Sequence, residues 1–149
     1  SLQAHGWGLS WFEQKKAADG SRTFVEHSIM GDFSTQNAGG VTFSQLHGAT
    51  YADVDGDGLQ DFITGKRFWS HGRTGDPDRN DAAVIYWFKL VRLSGGRVDF
   101  VPHLVDNDSG VGTQVVATDI NSDGLPDLVV GNKKGAFVHL QVKQAGASR

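Results

Sequence analysis

An acidic segment occurs twice in this chain with the same internal spacing. Residues 51–65 read YADVDGDGLQDFITG, and residues 117–131 read ATDINSDGLPDLVVG, 66 positions further along. Both contain the pattern D-x-[DN]-x-D-G-x-x-D between two short apolar runs. Two copies of one strand, turn and strand unit predict a repeat protein in which each unit packs against its neighbours.

The remaining sequence predicts many short strands. Twenty glycines, three prolines and turn signals such as Asp19-Gly20 separate runs of aromatic and β-branched residues, and helical periodicity is absent. The predicted strands are 8–13, 23–30, 49–54, 61–64, 83–92, 98–105, 114–120, 127–130 and 136–142. Short connections favour antiparallel pairing of neighbours. We therefore expect an all-β fold.

A second set of positions repeats in the same order. Trp11 and His27 return as Trp87 and His103, 76 residues further along, and this repetition favours packing over catalysis for these side chains. A repeat of four short strands is typical of a β-propeller blade. We predict residues 1–149 to be one propeller segment, with the last two strands of a blade in 1–32, a complete four-stranded blade in 41–107 and three strands of the next in 110–143.

The two acidic loops place oxygen ligands at matching positions. The candidate ligands are Asp53, Asp55, Asp57, the Leu59 carbonyl and Asp61 in the first loop, and Asp119, Asn121, Asp123, the Leu125 carbonyl and Asp127 in the second. Hard oxygen donors in this number suit Ca²⁺. The alternative is a solvated acidic turn, but carboxylates within about 4 Å repel by roughly 1 kcal/mol per pair even in water. Two Ca²⁺ sites are therefore predicted.

The loop pattern also separates two calcium-binding families. An EF-hand needs a bidentate Glu where this chain has Thr64 and Val130, and helices where strands are predicted. The loops instead resemble the calcium loops of FG-GAP/VCBS repeats, which are found in integrin-like propellers. This resemblance implies that each loop joins the first two strands of a blade and that calcium has a structural role. Asn121 and Ser122 depart from the pattern, so weaker binding is expected at the second site.

Four polar residues are candidates for catalysis. His47, Lys66, Arg67 and His71 lie near an insertion, 66–81, part of which has no counterpart in the second repeat. The alternative is that they order the loop through local hydrogen bonds. Convergence of the four at one pocket would favour a sugar-acting enzyme of the lyase or dehydratase type, as a resemblance to known propeller enzymes implies. Scattered positions would contradict it.

Composition limits the partners. The net charge is −3 without a basic block, which argues against nucleic acid. No run approaches the roughly 18 apolar residues of a membrane span, and the absence of cysteine excludes disulfides and thiolate sites. The leading hypothesis is a calcium-stabilised propeller module that binds a protein or carbohydrate and is secreted, periplasmic or on the cell surface.

The predicted ring is incomplete. The chain supplies about two blade equivalents, whereas a propeller closes with at least four. We expect the remaining blades to come from a longer chain or from self-association. The start at Ser1 without an initiator Met is consistent with a processed chain or a fragment.

Overall fold

The computed structural model describes residues 4–72 and 74–143. Its strands are β1 (Leu9–Lys16), β2 (Arg22–Met30), β3 (Leu46–Ala52), β4 (Asp61–Lys66), β5 (Ile85–Arg92), β6 (Val98–Asp106), β7 (Val115–Thr118), β8 (Asp127–Asn132) and β9 (Gly135–His139). Two short 3-10 turns, Ala38–Gly40 and Ser94–Gly96, are the helical elements of this part of the chain. The predicted all-β class is confirmed. Within these two ranges, no helix has the length and apolar character to cross a bilayer.

The strands form three antiparallel sheets. β1 pairs with β2, β3 to β6 form a four-stranded sheet in chain order, and β7 to β9 form a three-stranded sheet. The four-stranded antiparallel sheet predicted for a blade is confirmed, and the described residues contain no closed ring. The sheets lie inside the predicted segments 1–32, 41–107 and 110–143, whose assignment to blades of one ring stays a prediction.

The central sheet has both of its faces buried. Successive side chains of a strand point to opposite faces, and neighbouring residues of β4 accordingly enter two different cores. Phe62 packs in a cluster with Leu9 of the first sheet, whereas Ile63 packs in a cluster with Val130 of the third. The three sheets are therefore stacked face to face, as propeller blades are.

A ring stack repeats in two of the sheets. Trp11 of β1 lies opposite His27 of β2, and their rings stack with centroids 4.2 Å apart. Trp87 of β5 and His103 of β6 are paired in the same way, with centroids 4.3 Å apart. The packing role predicted for these histidines is confirmed by the two matching stacks.

Glycines allow the backbones of adjacent sheets to touch. A Cβ added to Gly112, in the connection from the central to the third sheet, would lie 1.9 Å from the carbonyl oxygen of Gly131. A Cβ on Gly48 of β3 would lie 2.9 Å from the carbonyl oxygen of Gly112. These contacts leave no room for a side chain where the connection crosses between β3 and β8.

Several strand ends differ from the prediction for one physical reason. β3 ends at Ala52 and β7 at Thr118, two residues before the predicted ends. β9 likewise stops at His139, three residues early. In each case a backbone N–H just beyond the strand donates to the buried aspartate that ends an acidic loop, so the chain leaves the sheet to reach it.

Candidate metal centre and histidine cluster

The first acidic loop connects β3 to β4 and turns its carboxylates inward. Asp53, Asp55 and Asp61 each offer a carboxylate oxygen, and these oxygens all lie within 4.8 Å of one another. Gly58 has a φ of 86°, a left-handed conformation that suits glycine, and its N–H donates to Asp53 Oδ2 at 2.9 Å. The loop thus brings three of its four predicted carboxylate ligands together.

Asp61 is buried at the base of this loop, with 0% of its surface exposed. Its two oxygens accept hydrogen bonds from the backbone N–H groups of Val54 at 3.0 Å and Leu90 at 2.9 Å. Burial raises the pKa of Asp61, and the charges of Asp55 and Asp57 add to that effect. A cation bound here would offset this repulsion.

Asp53 supplies the observation that tests whether a metal fits. Its Oδ1 atom is buried and has no hydrogen-bond partner among the described residues. A buried acceptor without a partner is costly and rare in folded proteins. A hard cation held by Asp53, Asp55 and Asp61 would satisfy this oxygen, so the donor set fits Ca²⁺.

Asp57 and Lys89 form the outer side of the first loop. Asp57 lies outside the converging group, and its Oδ1 accepts from the Leu59 N–H at 2.9 Å. This bond, together with the Lys89 ammonium, holds the pKa of Asp57 below its usual range. Lys89 Nζ contacts the carboxylates of both Asp55 and Asp57, and these bonds raise the pKa of the ammonium. The ligand roles of Asp57 and the Leu59 carbonyl stay predictions.

The second acidic loop, between β7 and β8, is built on the same frame. Asp127 is fully buried, and its carboxylate accepts from the Ile120 and Gln141 N–H groups, each at 2.9 Å. Asp119 accepts from the N–H of Asp123 at 3.1 Å and, in the manner of Asp53, from the glycine at the loop's sixth position at 2.9 Å. The two loops share their backbone geometry.

The second loop differs from the first in its outer residues. The Asn121 amide both accepts from the Asp123 N–H at 3.0 Å and donates to Asp123 Oδ2 at 3.1 Å. Leu125 N–H donates to Asp123 Oδ1 at 2.9 Å, and ligation by the Leu125 carbonyl stays a prediction. Phe62 pairs with Phe88, and Leu128 pairs with His139 at the equivalent place in the third sheet. The next residues, Lys89 and Leu140, are therefore equivalent, and the second loop has a leucine in place of the lysine. In the described chain, acidic oxygens converge only in the first loop.

A histidine cluster lies at the other end of the β3–β4 hairpin. Ala52 pairs with Asp61 beside the acidic loop, while Leu46 pairs with Lys66 at the far end. There the His47 and His71 ring centroids lie 6.2 Å apart, and His5 lies 5.3 Å from His47 and 4.4 Å from His71. Arg67 Nη1 lies 3.4 Å from His47 Nδ1. Three predicted candidates, His47, Arg67 and His71, are therefore brought together.

A buried aspartate orients His71. Asp76 accepts from the His71 backbone N–H at 2.9 Å and bonds to the imidazole Nδ1 at 2.6 Å. Burial alone would raise the pKa of Asp76, but these two bonds outweigh it and the pKa lies below its usual range. The close loop depends on Gly75, where an added Cβ would lie 2.5 Å from the Cβ of His71.

Lys66, the fourth candidate, is not part of this cluster. Its side chain is 1% exposed, and Nζ bonds to Asp78 Oδ1 at 2.8 Å and to Ser44 Oγ at 3.0 Å. This ion pair fastens the insertion to the sheet. The contacts agree with the alternative that this residue orders the loop.

The sequence did not point to several residues at these sites. His5 and Asp76 of the histidine cluster and Lys89 of the acidic loop come from distant or unrepeated segments. Asp76 lies in the insertion, where its lack of a counterpart was the available signal. His5 and Lys89 carry no pattern of their own, since contacts between distant segments of the chain bring them to these positions.

Comparison with known proteins identifies the second loop region. Residues 111–148 match the family model described as FG-GAP repeat. The chain contains an FG-GAP repeat. The predicted recognition is thereby confirmed for this region, which includes the second acidic loop, β8 and β9. No curated protein and no solved structure matches the chain significantly. The first acidic loop lies outside the matched residues, and its likeness to the FG-GAP repeat rests on the shared spacing and hydrogen bonds described above.

Proposed function

We propose that the chain is a calcium-stabilised module of a β-propeller and that both acidic loops bind Ca²⁺. The observation that supports this most strongly is the buried, unpartnered Oδ1 of Asp53 beside the converging oxygens of Asp55 and Asp61. The second loop shares the frame around its buried aspartate, Asp127, and has one carboxylate fewer. Weaker binding is therefore expected there.

The role proposed for calcium is structural. Asp61 ties the first loop to β5, and Asp127 ties the second loop to the segment that follows β9. Gln141 also links the two loops, because its Nε2 donates to the Val54 carbonyl at 2.8 Å. Calcium at these loops would fix the ends of two sheets and the junction between them.

The outer sheets have apolar surface for further blades. Phe24 of β2 is 64% exposed and Val138 of β9 is 57% exposed. We propose that blades from a longer chain or from another copy cover these faces, and that the completed propeller binds a protein or carbohydrate partner. A secreted, periplasmic or cell-surface location fits this role, because sites of moderate affinity stay filled in extracellular calcium.

Calorimetric titration with calcium tests the proposal. We expect two binding events, and Asp53→Asn and Asp119→Asn should each remove one. Asp99→Asn is the matched control, because Asp99 is an exposed acid outside both loops. Heat from a single event, or two events that persist in both loop variants, would contradict the assignment of one calcium to each loop.

A second candidate function is that of a sugar-acting enzyme, of the lyase or dehydratase type. The observation that favours it is the convergence of His47, Arg67 and His71, of which His71 is oriented by a buried carboxylate. Incubation with uronate-containing polysaccharides tests it, since elimination produces an unsaturated sugar that absorbs in the ultraviolet. Absence of that product for every polysaccharide tried would leave the binding module as the function.

A further inference from the structure

The histidine cluster contains two imidazoles whose proton positions are fixed by their neighbours. Asp76 is buried, and its Oδ1 lies 2.6 Å from His71 Nδ1. A carboxylate only accepts hydrogen bonds, so Nδ1 of His71 carries a proton. The Nε2 atom of His71 is then left for another partner, and no described residue bonds to it.

His47 has the opposite arrangement. The Arg67 guanidinium is always protonated and only donates, and its Nη1 lies 3.4 Å from His47 Nδ1. His47 Nδ1 is therefore the acceptor, and the proton of the neutral ring lies on Nε2. That Nε2 atom is buried and has no partner among the described residues. A buried N–H group of this kind requires an acceptor oxygen.

The charges around the cluster indicate the sign of the missing partner. Arg67 is half-buried, and within residues 4–72 and 74–143 the one hydrogen bond of its guanidinium is to a neutral ring. The nearby carboxylate of Asp76 already accepts two hydrogen bonds from His71. The cluster thus holds a guanidinium without an anionic partner, beside a buried donor without an acceptor.

A metal ion does not satisfy these groups. An imidazole nitrogen that carries a proton cannot ligate a metal, and this excludes Nε2 of His47 in the observed arrangement. The Arg67 guanidinium would also repel a divalent cation at the same place. An anionic molecule, by contrast, supplies acceptors of the kind that both Arg67 and His47 lack, and hydrogen bonds to an anion are charge-assisted.

We propose that His47, Arg67 and His71 form a binding site for a carboxylate-bearing small molecule at the end of the β3–β4 hairpin opposite the acidic loop. The positive charge of one guanidinium balances the negative charge of one carboxylate, and the planar N–H donors of arginine match the two carboxylate oxygens. The His47 Nε2–H, which lies on the other side of the ring from the Arg67 contact, donates to a second polar group of the same molecule. His71, held by Asp76, forms the wall of the site.

Calorimetric titration of the full chain, in saturating calcium, tests this site. The probes are acetate, galacturonate, galactose, phosphate and Zn²⁺. We expect galacturonate and acetate to bind and galactose to give no signal, because galactose lacks the carboxylate. Galacturonate tighter than acetate identifies a sugar ring as part of the ligand, and equal affinities identify the carboxylate alone; both results support the site. Tighter binding of phosphate, or Zn²⁺ binding that is lost in His47→Gln, would overturn it.

Variants localise the binding. Arg67→Met should weaken the affinity for galacturonate at least tenfold, whereas Arg97→Met, at an exposed arginine far along the chain, should leave it unchanged. If Arg67→Met does not fold, Arg67→Lys and the ¹⁵N imidazole spectrum of the wild-type chain give the same information, since a bound carboxylate must shift the Nε2 signal of His47. Unchanged His47 signals at saturating galacturonate would refute the site.

The two proposals fail separately. The carboxylate site and the acidic loop lie at opposite ends of the hairpin, so Asp53→Asn should abolish calcium binding at the first loop while a folded variant still binds galacturonate. Loss of galacturonate binding in a folded Asp53→Asn variant would contradict the independence of the two sites.

Discussion

The buried Lys66–Asp78 ion pair allows a stability change to be worked from the structure. The Lys66 side chain is 1% exposed and the Asp78 side chain 9% exposed, so both groups are largely removed from bulk water. Lys66 bonds to Asp78 at 2.8 Å and to Ser44 at 3.0 Å. Replacement of Lys66 by Met keeps most of the side-chain volume but leaves the Asp78 carboxylate with the Ser44 hydroxyl as its remaining side-chain hydrogen-bond donor.

Removal of one partner from a buried ion pair costs about 3–5 kcal/mol, because the remaining charge is left uncompensated. For a chain of this size each kcal/mol lowers the melting temperature by about 2–4 °C. We therefore expect Lys66→Met to lower it by roughly 6–20 °C, measured by circular dichroism in saturating calcium. Galacturonate binding should weaken as well, since the insertion that contains His71 and Asp76 is fastened by this pair.

The double variant Lys66→Met with Asp78→Asn is the control. It removes both charges, and Asn tolerates the left-handed φ of 42° at position 78. Paired replacement of buried charges is often neutral in stability, so the double variant should recover most of the loss. A double variant as unstable as Lys66→Met would refute the argument that an uncompensated charge causes the loss.

Three further predictions concern the sites and the sheet junction. Because the folded-state pKa of Asp76 is lowered, the stability that its carboxylate contributes is present above about pH 4 and is lost as pH falls through that pKa. Urea unfolding should therefore show that the stability lost in Asp76→Asn becomes smaller in acid. Lys89→Met should lower the melting temperature in chelator and raise calcium affinity, since the ammonium and calcium share Asp55 and Asp57. Gly112→Ala should lower the melting temperature, because its Cβ would lie 1.9 Å from the Gly131 carbonyl oxygen.

Each of these predictions has a result that would contradict it. If the free energy of unfolding lost in Asp76→Asn stays constant from pH 6 to below about pH 4, the charge of Asp76 does not contribute to stability. Unchanged calcium affinity in Lys89→Met would mean that the ammonium does not compete with the cation. Wild-type stability in Gly112→Ala would mean that the backbones of the two sheets are not in contact, and Gly6→Ala is the control at a glycine with open space around it and no left-handed φ.

The sequence predicted the local structure well because its signals are local. Alternating apolar residues and glycine turns identified all nine strands. The repeated loop spacing identified Asp61 and Asp127 as equivalent residues at the ends of the two acidic loops. The strand ends beyond Ala52 and Thr118 were wrong, since these ends depend on hydrogen bonds to aspartates seven residues away. His47, Arg67 and His71 were identified as candidates by their position in or near the unrepeated insertion, whereas their convergence is a finding of the structure.

Contacts between distant segments could not be predicted. His5 reaches His47 and His71 because the segment before β1 bonds to the segment before β3, where the Gln45 N–H donates to the Gly6 carbonyl at 3.0 Å. Lys89 reaches the acidic loop through the register of β4 and β5. Lys66 is a residue of the type expected in a binding site, yet it is buried against Asp78. A side chain's burial depends on the whole packing of the sheets, which no local pattern contains.

Thermal unfolding in calcium and in excess chelator tests the central claim most directly. A ligand at 100 times its dissociation constant stabilises the folded state by about 2.7 kcal/mol per site, which corresponds to roughly 5–11 °C for a chain of this size. We predict a calcium-dependent rise of at least this size, reduced stepwise by Asp55→Ala and Asp123→Ala and not reproduced by equimolar magnesium. Identical melting curves in calcium and in chelator would contradict calcium binding at the acidic loops.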